Sequence, residues 1–393
     1  MAQIEQDSRF IATHLGDDYE KYLGAVVPPV FMNSLHVFPN TQAYLNFDIT
    51  DPEQYTYGRV ANPTVRIVEQ KIAALEKGAM ALCFASGMAA ATTAVLSVCK
   101  AGSHVICVKN IYGPMKNFLE QYCVQMLNMS VTFVKGDCIE DFEAAITDHT
   151  HMIILESPTS LVFTLQDLAA IAKLAKKHHI TTYIDNTYCT PIYQNPLELG
   201  IDLVMHTTSK YLGGHSDLIG GVLVSNDHEF MQKKVSVMRE FLGGISGPAE
   251  AWLVMRGIRS LEVRLPVHQQ TALQVANFLE GHPLVERVYY PGLKSHPQYE
   301  LAQRQQKGSC GLLSFELKTD PDTARKFVDS LKLFKIGVSW GGFESLVSLP
   351  CYNSSEQTCS WLGCSRGIVR IHCGLEGAEN LIEDLRQALE QIK

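Results

Sequence analysis

His206-Thr207-Thr208-Ser209-Lys210-Tyr211-Leu212-Gly213-Gly214-His215 sets one lysine among hydroxyl side chains, with a glycine pair just beyond it. Upstream, Ile201-Asp202-Leu203-Val204-Met205 reads as a short buried strand, and the glycines let backbone or ligand come close. Lys210 therefore sits at a strand exit. A primary amine there, partly desolvated and beside cationic or dipolar groups, loses basicity and becomes nucleophilic toward an aldehyde. Thr207 and Ser209 are placed to hydrogen-bond a phosphate. On spacing alone a surface lysine gives the same pattern, so a partner is needed.

The partner comes at Thr181-Thr182-Tyr183-Ile184-Asp185-Asn186-Thr187, a β-branched strand ending in an acid. Pyridoxal 5′-phosphate (PLP) chemistry needs such an acid. Its carboxylate keeps the pyridine nitrogen protonated, so the ring accepts the electrons released when a bond to substrate Cα breaks. Asp185 alone also reads as a turn acid or a helix N-cap; lysine and acid together point to the cofactor. Phe84-Ala85-Ser86-Gly87-Met88-Ala89-Ala90 offers a phosphate seat, because it passes from an apolar strand through Ser-Gly into a small-residue helix whose first N–H groups face outward. Ser-Gly is equally good chemistry for a plain turn.

Composition bounds the answer. The chain has 393 residues, 46% of them hydrophobic and 19% charged, which fits a globular enzyme of two or three domains. A net charge of −8 argues against nucleic acid as a partner. Residues 1–10 carry Glu5, Asp7 and Arg9 and have no apolar signal core, and no apolar run approaches membrane-spanning length. The expectation is a cytoplasmic protein with no membrane contact. Eleven cysteines, an odd number, imply reduced thiols rather than a disulfide framework. Cys359, Cys364, His372 and Cys373 cluster near the C-terminus but lack paired Cys-x2-Cys spacing, so no metal is expected. His178-His179 reads as the exposed end of a helix. No Walker loop, dinucleotide fingerprint or zinc-protease motif occurs.

Residues 1–60 are irregular, with a helix signal only at 8–14, and read as an arm. From Pro63 onward helical and strand patterns alternate: helical 65–76, apolar 80–84, helical 89–99, strand 104–108, helical 116–123, strand 130–134, helical 139–146, strand 152–156 and helical 167–178. Such alternation gives an α/β fold with a mostly parallel sheet covered by helices. The chain turns helical at 244–264, then continues with strands near 311–317 and 368–372. This divides it into an arm at 1–60, a cofactor domain at 61–255 and a smaller α/β domain at 256–393. In such a sheet the ligand lies beyond the carboxyl ends of the strands.

The ordered motifs Tyr57-Gly58-Arg59-x-x-Asn62-Pro63-Thr64, Ser86-Gly87-Met88, Tyr112-Gly113, Glu156-Ser157-Pro158-Thr159, Asp185-Asn186-Thr187, Ser209-Lys210-Tyr211 and Arg370-x-x-x-Gly374-Leu375-Glu376 resemble the Cys/Met-metabolism family of PLP enzymes. That family holds cystathionine γ-synthase, cystathionine β- and γ-lyases and methionine γ-lyase. The resemblance implies the PLP-dependent transferase fold of type I, like aspartate aminotransferase. It implies Lys210 as the Schiff-base lysine and proton carrier, Asp185 as partner of the ring nitrogen, and Tyr112 stacked on the ring and able to move a proton. Glu156 joins the cofactor set. Ser86, the N–H groups of Gly87 and Met88, and the hydroxyls of Thr207 and Ser209 would bind the phosphate, with Tyr57 and Arg59 arriving from a neighbouring subunit. Arg370 would clamp the substrate carboxylate, assisted by Ser339, with Trp340 beside it. A homotetramer of two site-sharing dimers follows from the same resemblance.

The reaction is less clear from the motifs. Val338-Ser339-Trp340-Gly341-Gly342-Phe343-Glu344-Ser345-Leu346 and Tyr57-Gly58-Arg59 look most like cystathionine β-lyases; Asn62-Pro63-Thr64, Ser86-Gly87-Met88 and Val338 lean toward the γ-lyase side. Ser160-Leu161 stands where the family has Asn-Pro, Pro114 stands where methionine γ-lyases often have cysteine, and 351–367 does not match the family's loop. The expected activity is α,β-elimination of L-cystathionine or related cysteine S-conjugates to thiol, pyruvate and ammonia. The alternatives are α,γ-elimination giving 2-oxobutyrate, γ-replacement, and a PLP-binding regulator without activity.

Overall fold

A computed structural model describes residues 6–51 and 54–392. The terminal residues Met1 to Glu5 used above, and positions 52 and 53 of the arm, lie outside them. Seven strands form the large sheet: β1 (Met80–Phe84), β2 (His104–Val108), β3 (Ser130–Val134), β4 (Thr150–Glu156), β5 (Thr181–Asp185), β6 (Leu203–His206) and β7 (Gly221–Ser225), in the spatial order β1-β7-β6-β5-β4-β2-β3. All run the same way except β7, which is antiparallel to both β1 and β6. The sheet interior is mostly apolar, with Val105, Ile106, Ile153, Ile154, Ile184 and Val204 fully buried. Helices on both faces explain why these strands read as continuous apolar runs rather than alternating ones.

The helix Pro63–Leu75 begins where Asn62 caps it, its side chain accepting the Thr64 N–H at 2.9 Å, with proline at the first helical position. Its buried face, including Val68, Ile72 and Leu75, packs on the large core. The helix Ser8–His14, read above as part of an arm, joins the same core through Ile11 and Ala12. Just beyond it Asp17 bridges Lys71 at 3.7 Å and Arg259 at 3.2 Å. The free-standing part of the arm begins later. Leu23 is 100% exposed, and Val26, Met32, Val37, Leu45 and Ile49 are also in the open, with one short helix, Thr41–Leu45, that has no buried residue.

The second sheet holds β8 (Val285–Tyr289), β9 (Leu312–Leu317), β10 (Lys335–Ile336), β11 (Leu346–Ser348) and β12 (Val369–His372), in the order β10-β11-β12-β9-β8. The helix Leu261–Glu280 links the two cores. Leu261 and Leu265 lie in the large one, while Ala272, Val275, Ala276 and Leu279 lie in the small one with Phe315, Phe327, Leu381 and Leu385. Pro266 falls inside this helix. The expected helix at 116–123 is a π-helical stretch over Phe118–Cys123, and the expected strand at 201–205 is shifted to Leu203–His206.

Arg264, two turns before the small core, fastens the lysine segment to this linking helix. Its Nη2 donates to Tyr211 O and to Gly257 O, both at 2.8 Å, and its Nε donates to Ser260 Oγ at 3.0 Å. Replacing it by methionine leaves the buried Tyr211 carbonyl without its donor, while Gly257 O keeps those of Ser260, a loss of about 2 kcal/mol. Arg264→Met should therefore lower the denaturant midpoint and slow turnover, read by chemical unfolding beside an activity assay.

Candidate active site

The strand order brings the predicted residues to one edge. Asp185 ends β5, Glu156 ends β4, and the two are direct register partners. Lys210 lies four residues beyond β6, Ser86 and Gly87 follow β1, and Tyr112 follows β2. Because β7 runs backwards, its first residue, Gly221, also falls at this edge. A Cβ on Gly221 would lie 2.4 Å from Ser86 O, and one on Gly87 would lie 2.1 Å from Thr207 Oγ1. Only glycine lets these three segments meet.

Here the helix Gly87–Val98 presents its amino end. Ser86 is its N-cap, accepting the Ala89 N–H at 3.0 Å, so its hydroxyl is engaged with the helix while the Gly87 and Met88 N–H groups belong to the turn that has no internal acceptors. Thr207 is held from behind: its N–H donates to Thr187 Oγ1 at 2.8 Å. Thr187 in turn donates N–H to Asp185 Oδ1 at 2.9 Å and its hydroxyl to the same oxygen. Ser209 Oγ accepts the Gly220 N–H at 3.0 Å.

Lys210 Nζ donates to Ser339 Oγ at 2.6 Å and lies 5.4 Å from the centre of the Trp340 ring. Burial and the nearby Arg370 charge bring this amine from an ordinary 10.5 down to about 8, with Asp185 and Glu344 resisting. Arg370, on β12, donates Nη2 to Val338 O at 2.9 Å; burial lowers its pKa, and Glu156 and Tyr112 oppose this. Burial raises both Asp185 and Glu156, and for Glu156 the Asp185 charge adds to it. Glu156 accepts the Tyr112 N–H at 2.7 Å and the Ser160 hydroxyl at 2.6 Å. Ser160, which stands where the family has asparagine, is thus turned to Glu156. Burial and both carboxylates also push the Tyr112 phenol up.

Tyr57 and Arg59 are not with these residues in the chain. Arg59 stacks over Tyr57 at 5.8 Å and donates to Glu240 O at 3.4 Å, on the surface. The C-terminal cysteines also separate. Cys364 lies beside Cys351, whereas His268 Nδ1 is 2.9 Å from Cys373 O and His372 Nε2 is 3.1 Å from Gly342 O.

Behind the site is a buried polar group that motif reading missed. Glu76 Oε1 accepts from Asn186 Nδ2 at 3.0 Å and lies 3.2 Å from His206 Nε2, while its Oε2 accepts from Asn195 Nδ2 at 3.2 Å. It ties the ends of β5 and β6 together and holds Asp185 and Lys210 in register. His206 belonged to the quoted lysine stretch without a role. Glu76 gave no signal, since it is 130 residues away in sequence.

The sequence matches the family "Cys/Met metabolism PLP-dependent enzyme" over residues 10–390. It is 36% identical to cystathionine gamma-lyase of Dictyostelium discoideum over 383 residues, 96% of each chain. To cystathionine beta-lyase of Lactococcus lactis subsp. cremoris the identity is 35%, covering 96% of this chain and 97% of that one. To L-methionine gamma-lyase of Treponema denticola it is 36%, covering 96% of each. The crystal structure of metB from Corynebacterium glutamicum superposes with a TM-score of 0.92 at 34% identity, covering 98% of both chains. The chain belongs to the Cys/Met-metabolism family of PLP-dependent enzymes. Its fold is that of the type I PLP enzymes, its cofactor is PLP, and its class is that of the PLP-dependent carbon–sulfur lyases of cysteine and methionine metabolism.

The residues present fit that cofactor. Two neighbouring carboxylates, Glu156 buried and Asp185 half-buried, with raised pKa values call for a cation, which a protonated ring nitrogen supplies. The glycine-opened helix end offers N–H donors to a phosphate, and Lys210 gives up its proton near pH 8, well below an ordinary lysine. Gly87→Ala should weaken PLP retention at least about tenfold, a cost of roughly 1.4 kcal/mol, read from bound-cofactor absorbance after dialysis. In apoprotein, capture of added PLP should quicken as pH rises through about 8, where Lys210 loses its proton; a midpoint near the ordinary lysine value would contradict the burial argument.

Proposed function

We propose that this enzyme removes the Cα proton of L-cystathionine, or of a related cysteine S-conjugate, and expels the thiol by α,β-elimination, yielding pyruvate and ammonia. The observation that carries this reading is the contact of Lys210 with Ser339 at 2.6 Å and with Trp340 at 5.4 Å. These belong to the stretch that most resembles cystathionine β-lyases, and they touch the amine that handles the proton. When bound, PLP supplies the electron sink for the pair left at Cα.

The chain's residues do the rest. Arg370 takes the substrate carboxylate as a planar fork, which orients the Cα–H bond toward Lys210. Lys210, near neutral at about pH 8, accepts that proton. Asp185 would hold the proton on the ring nitrogen. Tyr112, half exposed, would cover the ring face and hand a proton to the leaving sulfur.

The arm completes the site from a second copy. Apolar residues of the arm, with Val37 86% exposed, and Phe241 and Leu242 beside Glu240 stand in the open, as residues that meet a second chain do. Tyr57 is exposed, and Arg59 donates to Glu240 O on the surface. We take the assembly as a tetramer of site-sharing dimers. Its place is the cytoplasm; all eleven cysteines are free thiols, and among the described residues no helix is long and apolar enough to cross a membrane.

Keto-acid identification after incubation with L-cystathionine tests the reaction: pyruvate is expected, and 2-oxobutyrate would move the enzyme to α,γ-elimination. Lys210→Ala should abolish turnover while fold and assembly persist, which separates an enzyme from a PLP-binding regulator. Mixing Arg59→Ala with Lys210→Ala subunits should restore part of the activity; none in verified mixed oligomers would count against the shared site.

A further inference from the structure

Residues 351–364 hold three of the eleven cysteines. Cys351 is buried at the turn after β11, Cys359 is buried on the helix Glu356–Leu362, and Cys364 is half-buried just past it. Gly363, with φ +83°, turns the chain back at the helix end, and the Gly363 and Cys364 N–H groups both donate to Cys359 O, at 2.9 and 3.1 Å. This turn lays Cys364 over Cys351. Their sulfurs are 3.8 Å apart, and Cys364 is the more exposed of the two. A disulfide needs the sulfurs at about 2.05 Å with Cβ atoms about 3.8 Å apart, so a pair already in contact closes by side-chain rotation and a small backbone shift.

This segment is fastened to the wall of the active site. Lys109 Nζ donates to Trp361 O, and Asn110 Nδ2 donates to Leu362 O at 3.0 Å. Lys116 lies 4.6 Å from the Trp361 ring centre, on the helix Gly113–Asn117 that Tyr112 begins. A groove of about 570 Å³ reaches Leu362 and Gly363, with charges of both signs along it, among them Lys109, Lys135, Arg287 and Glu280. It gives a small molecule access to the residue just before Cys364.

We propose that Cys351 and Cys364 form a reversible disulfide site that small organic disulfides oxidise, closing into a loop the segment 351–364 that Lys109 and Asn110 hold beside the strand exit carrying Tyr112. The Cys364 thiolate attacks one sulfur of the incoming disulfide, whose S–S bond breaks and releases a thiolate that takes up the proton lost from Cys364. The Cys351 thiolate then attacks the Cys364 sulfur. The protein S–S bond forms, the mixed one breaks, and the second thiolate leaves with the proton from Cys351. Two protein thiols give up two electrons and two protons, and one small disulfide becomes two thiols.

The test is to treat holoenzyme with bis(2-hydroxyethyl) disulfide, which has no amino-acid head group and so cannot be turned over, then block free thiols and map peptides by mass spectrometry. The expected product joins Cys351 to Cys364, lighter by two hydrogens, and dithiothreitol reverses it. Exposed Cys138 should carry a hydroxyethyl adduct in the same sample and reports that the reagent acted. Cys359→Ala should keep the cross-link, and Cys364→Ser should lose it while retaining bound-PLP absorbance. A lasting adduct on Cys364, a bridge from Cys351 to Cys359, or two unmodified thiols beside a modified Cys138 would overturn the proposal.

Discussion

Two carboxylates, the buried Glu156 and the half-buried Asp185, end adjacent parallel strands as register partners, and the charges around them are arranged in answer. Uncompensated, such a pair is costly in a low-dielectric interior. The protein meets that cost with N–H donors from Thr187 and Tyr112 and with the charges of Lys210 and Arg370. Part of the need is left for the ligand. An acid whose pKa is raised and an amine whose pKa is lowered are the same electrostatic arrangement seen from its two ends, which is why perturbed groups gather at this edge.

Keeping that arrangement in register falls to groups that touch no ligand. Glu76 holds Asn186, Asn195 and His206, and the chain from Asp185 through Thr187 to Thr207 N–H links the acid to the phosphate end. Arg264 fixes the backbone after Lys210 to the helix joining the two cores. Displacing any of these moves the lysine relative to the acid, so their effect on chemistry comes through position rather than contact.

Much of this was legible. Strands β1 to β6 read as apolar runs because sheets covered on both faces need no alternation, and Lys210, Asp185, Ser86 and Gly87 stood at strand exits in the order that an α/β sheet demands. Strand β7 was not legible: Gly221-Val222-Leu223-Val224-Ser225 is short and antiparallel, and its place between β1 and β6 depends on pairings over more than a hundred residues on one side. The helix Ser8–His14 was assigned to the arm because its small apolar face gains meaning only against Pro63–Leu75. The boundaries at 116–123 and 201–206 moved because local turns and pairing, not propensity, set them.

The sequence by itself determined the fold class and the cofactor and put Lys210, Asp185, Ser86 and Gly87 at strand exits, because strand exits, glycine-opened turns and the lysine–acid spacing are local chemistry written in short stretches. Only the tertiary structure decided what those residues do to each other: that Glu156 adjoins Asp185, that Ser160 turns to Glu156, that Ser339 and Trp340 reach Lys210, and that Cys364 falls on Cys351. Such contacts join residues far apart in the chain, and burial and distance, which set charge and reactivity, exist only once the chain has folded.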